Sequence, residues 1–501
     1  MATKLRVTEP IWRALRQYHL DPRVRRERIS YLFGTLVEGP RTDRTIIVAD
    51  QPVLLSDDCY ITQTGGHVSL CPLVQNSILA AFAKTDHDCL INVHDHFFAA
   101  ANTTFSSIDT ADEIALEVYL RKRFQPMLAA RPEIGRARFI LNVALVLDQA
   151  GCDARFLDGE GRFKPIDRID IVGERPVHLV PNSQRQMGSE TSDDTTARHT
   201  DFISTACQRF IANTTFAIVG CGGLGSIAAE ALMRLGARHF VLIDDDSLEQ
   251  HNLNRWQGGS VRDVGRPKVA VLASRLRAMA GSGHIVVDVV QHSALSTEGE
   301  TALKQADVII GGLDNHLARF FLNRFAVQYV VPYFDAGVNI LAGEHVDFQS
   351  RYFAVIPGST PCMECTGYEL FDRDEINRIL MDDVTAAERK AAGYVQDRPE
   401  IIAAASAYAL NLGAVAILNT ELMNWICGFR PLATCASERW RDGWHQRSDR
   451  ANHPEKPDPE CPACGALLGA GEHAELPRPR PEGHAARLLE EARVRLRARS
   501  V

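Results

Sequence analysis

Apolar positions in this chain follow two rhythms: short unbroken runs, and longer stretches with the period of a helix. The run Phe216 to Val219 enters the segment Gly220-Cys221-Gly222-Gly223-Leu224-Gly225, a helical stretch follows, and a second run, His239 to Ile243, ends on Asp244-Asp245-Asp246. Unbroken runs punctuated by glycine mark strands buried on both faces, so this stretch predicts a βαβ unit. Val308 to Gly311 is a third such run and leads into Gly312-Leu313-Asp314-Asn315; Tyr352 to Ile356 is a fourth and ends at Pro357-Gly358. Charged helical patterning covers Glu369 to Arg398. Ile401 to Ile426 reads as one long apolar helix interrupted by Ser406, Asn411, Asn419 and Glu421. No uninterrupted part of it is long enough for a bilayer, so it belongs in a core or a dimer interface.

A second set of elements occupies about residues 10–175. RISYLFGTLV (28–37) and Cys89 to Val93 read as strands, and Ser106-x-x-Asp109 opens a helix running to about Arg123. The polar stretch Pro181 to Ala197 cannot contribute a core and marks the join. Leu476-Pro-Arg-Pro-Arg-Pro-Glu-Gly is a stiff spacer. It precedes a short basic helix with Leu488, Leu489, Ala492 and Leu496 near one face, which either packs on the body or docks a partner. The expected organisation is an α+β domain over 1–178, a linker over 179–197, a Rossmann-like α/β domain with a mostly parallel sheet over 198–469, and a tail over 470–501.

Composition narrows the function. The chain has 501 residues, 45% of them hydrophobic, enough for two or three cores. A formal net charge of −8 argues against general nucleic-acid binding. No membrane-length run or export-signal pattern is present, and twelve cysteines without such a signal point to a reducing cytoplasm. There cysteines serve as metal ligands, nucleophiles or core residues.

The glycine segment lets backbone approach phosphates at a helix N-terminus, and Asp244 is placed to take a ribose hydroxyl. A dehydrogenase would need no more. The polar groups that follow, Asn252, Asn254, Arg255 and Lys268, suit a triphosphate about to be cleaved. Over about residues 198–465 the sequence resembles the ThiF/MoeB/HesA family, which includes the catalytic core of ubiquitin-activating enzymes. The resemblance implies Mg-ATP bound by Gly220, Gly222, Gly223, Gly225, Asp244, Asp246, Asn252 and Asn315. It further implies phosphates gripped by Arg255 and Lys268, a magnesium held by Asp314, and Arg319 completing the Asp314-Asn315 motif. Arg198 matches an arginine that such proteins insert into a partner subunit's site, which implies a homodimer. The implied reaction adenylates the C-terminal glycine of a ubiquitin-like or sulfur-carrier protein.

Cys362-x-x-Cys365 and Cys461-x-x-Cys464 have the spacing of two zinc knuckles, and four thiolates leave no open coordination position. A structural zinc would staple the C-terminal part onto the domain. Activating enzymes often pass the acyl group to a cysteine before the apolar helix, yet residues 369–400 contain none. Cys435, near Arg430 and Arg439, is the remaining nucleophile candidate, against a structural thiol. Cys427 and Cys221 read as packing residues.

In the N-terminal domain, Glu27, His94-x-His96 and Ser106-x-x-Asp109 resemble the JAB/MPN metalloproteases, which cleave ubiquitin-like proteins after their terminal glycine. The resemblance implies a second zinc on His94, His96 and Asp109, Glu27 activating its water, and Ser106 supporting the oxyanion. Two departures are Phe97, where the family has proline, and a longer gap to Ser106. An active peptidase and a degenerate docking scaffold both remain open.

The combined expectation is a cytoplasmic activating enzyme for a ubiquitin-like modifier, with two kinds of partner: the modifier itself and a conjugating enzyme. Bacterial ubiquitin-like conjugation operons, some in antiphage defence, use such enzymes. A sulfur-carrier adenylyltransferase without thioester transfer, and a non-catalytic docking protein that senses ATP, are the alternatives.

Overall fold

A computed structural model describes residues 2–40, 43–64, 68–96, 103–185, 199, 201–281, 283–342, 346–366, 406–441, 444–448 and 455–477. Among these residues two large sheets organise the molecule. The first uses β1 (Thr3–Thr8), β2 (Ile29–Glu38), β3 (Arg44–Val48), β4 (Cys89–Asp95), β5 (Leu141–Leu147), β6 (Cys152–Leu157) and β7 (Arg168–Val172). Its central order is β6-β5-β4-β2-β3-β1-β7, with short edge strands at Phe163–Pro165 and Val177–Leu179. The helices α1 (Glu9–His19), α2 (Pro72–Ala83) and α3 (Ser107–Tyr119) belong to this half. The chain continues past the expected end of α3 through a wide π-turn, Leu120–Phe124, into Gln125–Ala130. Pro126 has no N–H to offer the preceding turn, and the wider spacing accommodates it.

The second sheet contains β8 (Thr215–Val219), β9 (His239–Ile243), β10 (Val286–Val290), β11 (Val308–Gly311), β12 (Tyr333–Ala342), β13 (Val346–Val355), β14 (Cys435–Arg441) and β15 (Trp444–Ser448). Its order is β10-β9-β8-β11-β12-β13-β14-β15, parallel through β12 and antiparallel beyond. This is a mixed α/β architecture. Strand order reverses between β8 and β11, which opens a crevice at the carboxyl ends of those two strands. α4 (Thr205–Asn213), α5 (Gly223–Leu235), α6 (Lys268–Ala280), α7 (His316–Gln328) and α8 (Tyr408–Cys427) pack around it.

β13 begins at Val346, earlier than the apolar run starting at Tyr352 predicts. Its first half, Val346 to Arg351, is mostly polar (Asp347, Gln349, Ser350 and Arg351) in an antiparallel hairpin with β12 and so lacks an unbroken apolar signature. In α8 two of the polar interruptions face inward, Asn411 and Glu421 at 2% and 1% exposed; Asn419 is half-buried, and Ser406 precedes the helix. Glu421 receives Arg430, and Asn411 abuts Gly223. No helix among the described residues is long and apolar enough to cross a membrane.

The two halves share a seam. Arg6 donates to the carbonyls of Ala306 and Tyr329, each at 3.0 Å. Lys4 and Arg168 meet Asp307 at 2.9 and 2.6 Å. Trp425 Nε1 donates to Gly173 O at 2.9 Å, and Val37, Ile47 and Val172 join the core of the second sheet. Arg198, most of the expected linker, the charged helical stretch 369–398 and the tail helix lie outside the described residues.

Candidate active site

The glycine segment turns sharply between β8 and α5. Gly220 has φ +82°, a left-handed conformation that side chains disfavour. A Cβ on Gly225 would strike the carbonyl oxygen of Gly220, so the first turn of α5 packs directly on the strand end. Trp256 Nε1 donates to Cys221 O at 2.7 Å and fixes the loop from the other side.

At the end of β9, Asp244 is clamped by main chain. Its Oδ2 accepts from Cys221 N–H at 2.7 Å and its Oδ1 from Asp246 N–H at 2.9 Å. Burial pushes this carboxyl above the ordinary range, with Lys268 pulling the other way. Lys268, the first residue of α6, lies 2.6 Å from Asp246 and 4.0 Å from Asp244. Arg255 is braced by donating to His251 O at 2.9 Å and Asn254 Oδ1 at 3.1 Å. Asn252 accepts from Glu249 N–H at 2.9 Å, which closes the preceding turn. Beyond β11, Asp314 is exposed to the crevice, and Asn315 caps α7 by accepting from Ala318 N–H at 2.7 Å. Asp244, Asp246, Asn252, Arg255, Lys268, Asp314 and Asn315 line one cavity of about 660 Å³, together with Gly220, Gly222 and Gly223; Gly225 and Asn254 are not part of its lining. That volume suits a nucleotide with room for a second group.

The four knuckle cysteines converge although 99 residues separate the pairs. Cys362 Sγ lies 3.9 Å from Cys365 Sγ and 3.7 Å from Cys461 Sγ, and Cys365 lies 3.7 Å from Cys464. Tetrahedral thiolates about 2.3 Å from zinc would stand about 3.8 Å apart, so the donor set fits that ion.

In the N-terminal half, β4 ends on His94 and Asp95, and Ser106 caps α3 by accepting from Asp109 N–H at 3.2 Å. Asp109 reaches both imidazoles, at 3.3 Å from His94 Nε2 and 3.6 Å from His96 Nε2. Glu27 lines the same cavity of about 460 Å³. Burial pushes its carboxyl up to about 7, with His94 opposing and the carboxylates of Asp95 and Asp109 adding to the rise. Three donor atoms of His94, His96 and Asp109 lie close enough to share one metal ion. A three-ligand set with an adjacent carboxyl fits a zinc that keeps an open position.

The ThiF family profile matches residues 196–463, more than half of the chain. The chain belongs to the ThiF family. Among curated relatives, the sulfur carrier protein ThiS adenylyltransferase of Bacillus subtilis is 30% identical over 32% of this chain and 46% of its own length. The NEDD8-activating enzyme E1 catalytic subunit of Arabidopsis thaliana is 30% identical over 30% of this chain and 34% of its own. Ubiquitin-like modifier-activating enzyme 5 of Drosophila erecta is 30% identical over 41% of this chain and 54% of its own. The chain thus spans about half or less of the length of these relatives. Among solved structures, E. coli MccB with MccA-N7isoASN aligns at 21% identity and a TM-score of 0.41, covering 55% of this chain and 76% of that one.

Within the ThiF domain, sequence reasoning missed three contributors. Trp256 directly follows Arg255, and Asn411 is a polar residue in an apolar helix; both were visible as exceptions to their surroundings. Arg351 lines the same cavity from β13 and had no motif to announce it. Cys435 is the first residue of β14, partly buried and paired with Phe353. Arg430, one of the two arginines expected near it, pairs with Glu421, and Arg351 on β13 also interacts electrostatically with Cys435.

Proposed function

We propose that this ThiF-family chain uses Mg-ATP to adenylate the C-terminal carboxylate of a ubiquitin-like or sulfur-carrier protein. A carboxylate oxygen forms a bond to the α-phosphorus, the bond from that phosphorus to the bridging oxygen breaks, and pyrophosphate leaves. Negative charge gathers on the phosphoryl oxygens as this happens. Lys268 and Arg255 stabilise it, the glycine loop supplies main-chain N–H groups, and Asp244 holds the ribose. Asp314 would hold the magnesium, which supplies further charge neutralisation at the phosphates. The observation that carries the reading is the convergence of Asp244, Arg255, Lys268 and Asp314 on one cavity beside the glycine loop. The test is ATP–pyrophosphate exchange with candidate carrier proteins ending in glycine; exchange absent from the wild type with every carrier would sink it.

In this reading the four cysteines hold a structural zinc, and a homodimer brings Arg198 into the neighbouring site. Where transfer to a conjugating enzyme follows, the Cys435 sulfur bonds to the acyl carbon of the adenylate, the bond from that carbon to the phosphate oxygen breaks and AMP leaves; exchange without a thioester on non-reducing gels would favour the sulfur-carrier role. A second reading concerns the N-terminal half, where the convergence of Glu27, His94, His96, Ser106 and Asp109 favours a zinc peptidase acting on the same class of modifier. Cleavage of a glycine-ended fusion by the wild type, and its loss with zinc retained in Glu27→Gln, is the expected result.

A further inference from the structure

The cavity extends past the groups that a nucleotide engages. Beyond Asp314 its wall is built by β12 and β13, which contribute Val338, Asn339, Gln349 and Arg351. Register pairs Gly337 with Arg351 and Asn339 with Gln349, so Gln349 and Arg351 leave β13 on one face. Across the sheet, Asp244 follows β9, the glycine loop follows β8, and Asp314 follows β11. β13 lies three strand spacings from β8, about 14 Å.

The charges on this wall do not balance. Asp335, 2% exposed, accepts from Arg319 Nε at 3.1 and 3.3 Å and from Tyr333 OH at 2.9 Å. One guanidinium and one phenol therefore satisfy it. Arg351 brings a second guanidinium to the same place: a Cβ on Gly337 would stand 2.8 Å from Arg351 Nε and 3.3 Å from an Arg319 nitrogen. Two arginines and one aspartate leave one positive charge over. Arg319 also donates to Leu313 O, whereas the Arg351 guanidinium makes no hydrogen bond or ion pair to any described residue. Burial holds its guanidinium down to about 10, with Arg319 adding to the fall and Asp335 opposing it. A forked donor partly withdrawn from water, with no acceptor, is matched by a planar anion such as a carboxylate.

We propose that Arg351 is the receptor for the terminal carboxylate of the polypeptide, holding it at the β13 side of the cavity where it faces the nucleotide. The inference rests on the adenylation reading above and adds the residue that selects a chain end over any other part of a protein. The phosphates already have Lys268, Arg255 and the glycine loop, so the carboxylate is the anion without a partner. The amides of Asn339 and Gln349 line the path by which an extended tail would approach.

The probe is a ten-residue peptide ending in glycine with a free carboxylate, compared with the same peptide ending in an amide. Each is titrated into full-length protein saturated with magnesium and an ATP analogue carrying a methylene between the α- and β-phosphorus. The wild type is expected to bind the acid roughly tenfold more tightly than the amide. Arg351→Gln is expected to bind acid and amide alike while retaining the nucleotide analogue, a split that a general structural defect would not produce. Equal binding of acid and amide by the wild type, including no binding of either, overturns the assignment even if R351Q fails to fold. Persistence of the preference in R351Q also overturns it. Failure of the nucleotide analogue to bind the wild type sinks the adenylation reading itself, and this inference with it.

Discussion

The nucleotide cavity and the His94–His96–Asp109 cluster are built by opposite routes. In the cavity the backbone sets the geometry: Gly220 and Gly225 shape the turn, and main-chain N–H groups of Cys221 and Asp246 clamp Asp244. In the cluster the side chains do so, with Asp109 closing on two imidazoles from the start of α3. That arrangement leans on support behind it. Asp95 accepts from Arg28 N–H at 3.0 Å and pairs with His19 Nδ1 at 2.8 Å, and His19 Nε2 meets Ser30 Oγ at 2.7 Å. A backbone-made site is hard to displace and easy to disarm by removing one charge. A side-chain-made site loses its ligand when any one arm is cut.

The largest effect should come from disarming the cavity. Asp314→Ala is expected to lower ATP–pyrophosphate exchange by about a thousandfold, the scale of losing one preorganised electrostatic contributor in a closed site. Because Asp314 is exposed and packs on little, thermal stability should stay within a degree or two of wild type. A variant retaining more than a tenth of the exchange rate would mean that the metal is held elsewhere.

Metal content separates the two zinc-compatible sites. Elemental analysis of the wild type is expected to give about two zinc ions per chain. Asp109→Ala should leave about one with a small change in Tm, because the N-terminal ions close no fold. Cys365→Ser with Cys464→Ser should also leave about one, but lower Tm by roughly 10 °C, since structural zinc contributes folding energy outright. Equal Tm changes in the two variants would show that both metal sites contribute alike to folding.

How much of each region was legible in the sequence follows from the same difference. The glycine loop, Asp244 and Asp314 sit within a few residues of strand ends, so Phe216–Val219, His239–Ile243 and Val308–Gly311 located them almost to the residue, whereas Arg255 and Lys268 lie further along and were assigned through the resemblance. The cluster was legible only because His94, His96, Ser106 and Asp109 are near one another in sequence; Glu27 needed the strand after it as a landmark. Arg351 was not legible. Its meaning depends on Asp335 and Arg319 having already neutralised one another, and no spacing within one segment encodes a charge balance across three elements. The seam was hidden for the same reason: Arg6, Arg168 and Asp307 look like solvated charges until the fold buries them together.

That seam gives a pH test of how the two halves hold together. His178 lies in the buried group of Lys4, Arg6, Arg168, Asp170 and Asp307. Burial holds its imidazole down to about 4, with Asp170 opposing and Arg168 adding to the fall. An unfolded chain takes up this proton near pH 6.5 and the folded one does not until about pH 4, so the histidine's contribution is complete above pH 6.5 and declines as pH falls toward 4. The slope is on the order of 1 kcal/mol per pH unit. His178→Gln should therefore lose less Tm than wild type between pH 7 and 5, and parallel losses would show that the seam histidine does not titrate in that window.

The smallest expected effect probes the backbone-made site at its brace. Trp256 is 3% exposed, and its indole N–H supplies Cys221 O with a partner at 2.7 Å. Trp256→Phe keeps most of the apolar bulk and removes the donor, leaving a buried carbonyl oxygen unmatched at a cost of about 1 kcal/mol or somewhat more. The glycine turn would then relax toward water. The loss should appear as a roughly fivefold rise in the KM for ATP, with little change in kcat, because Lys268 and Asp314 are untouched. Zinc content should not move. If kcat falls and KM holds, the indole serves the phosphoryl-transfer step rather than the shape of the loop.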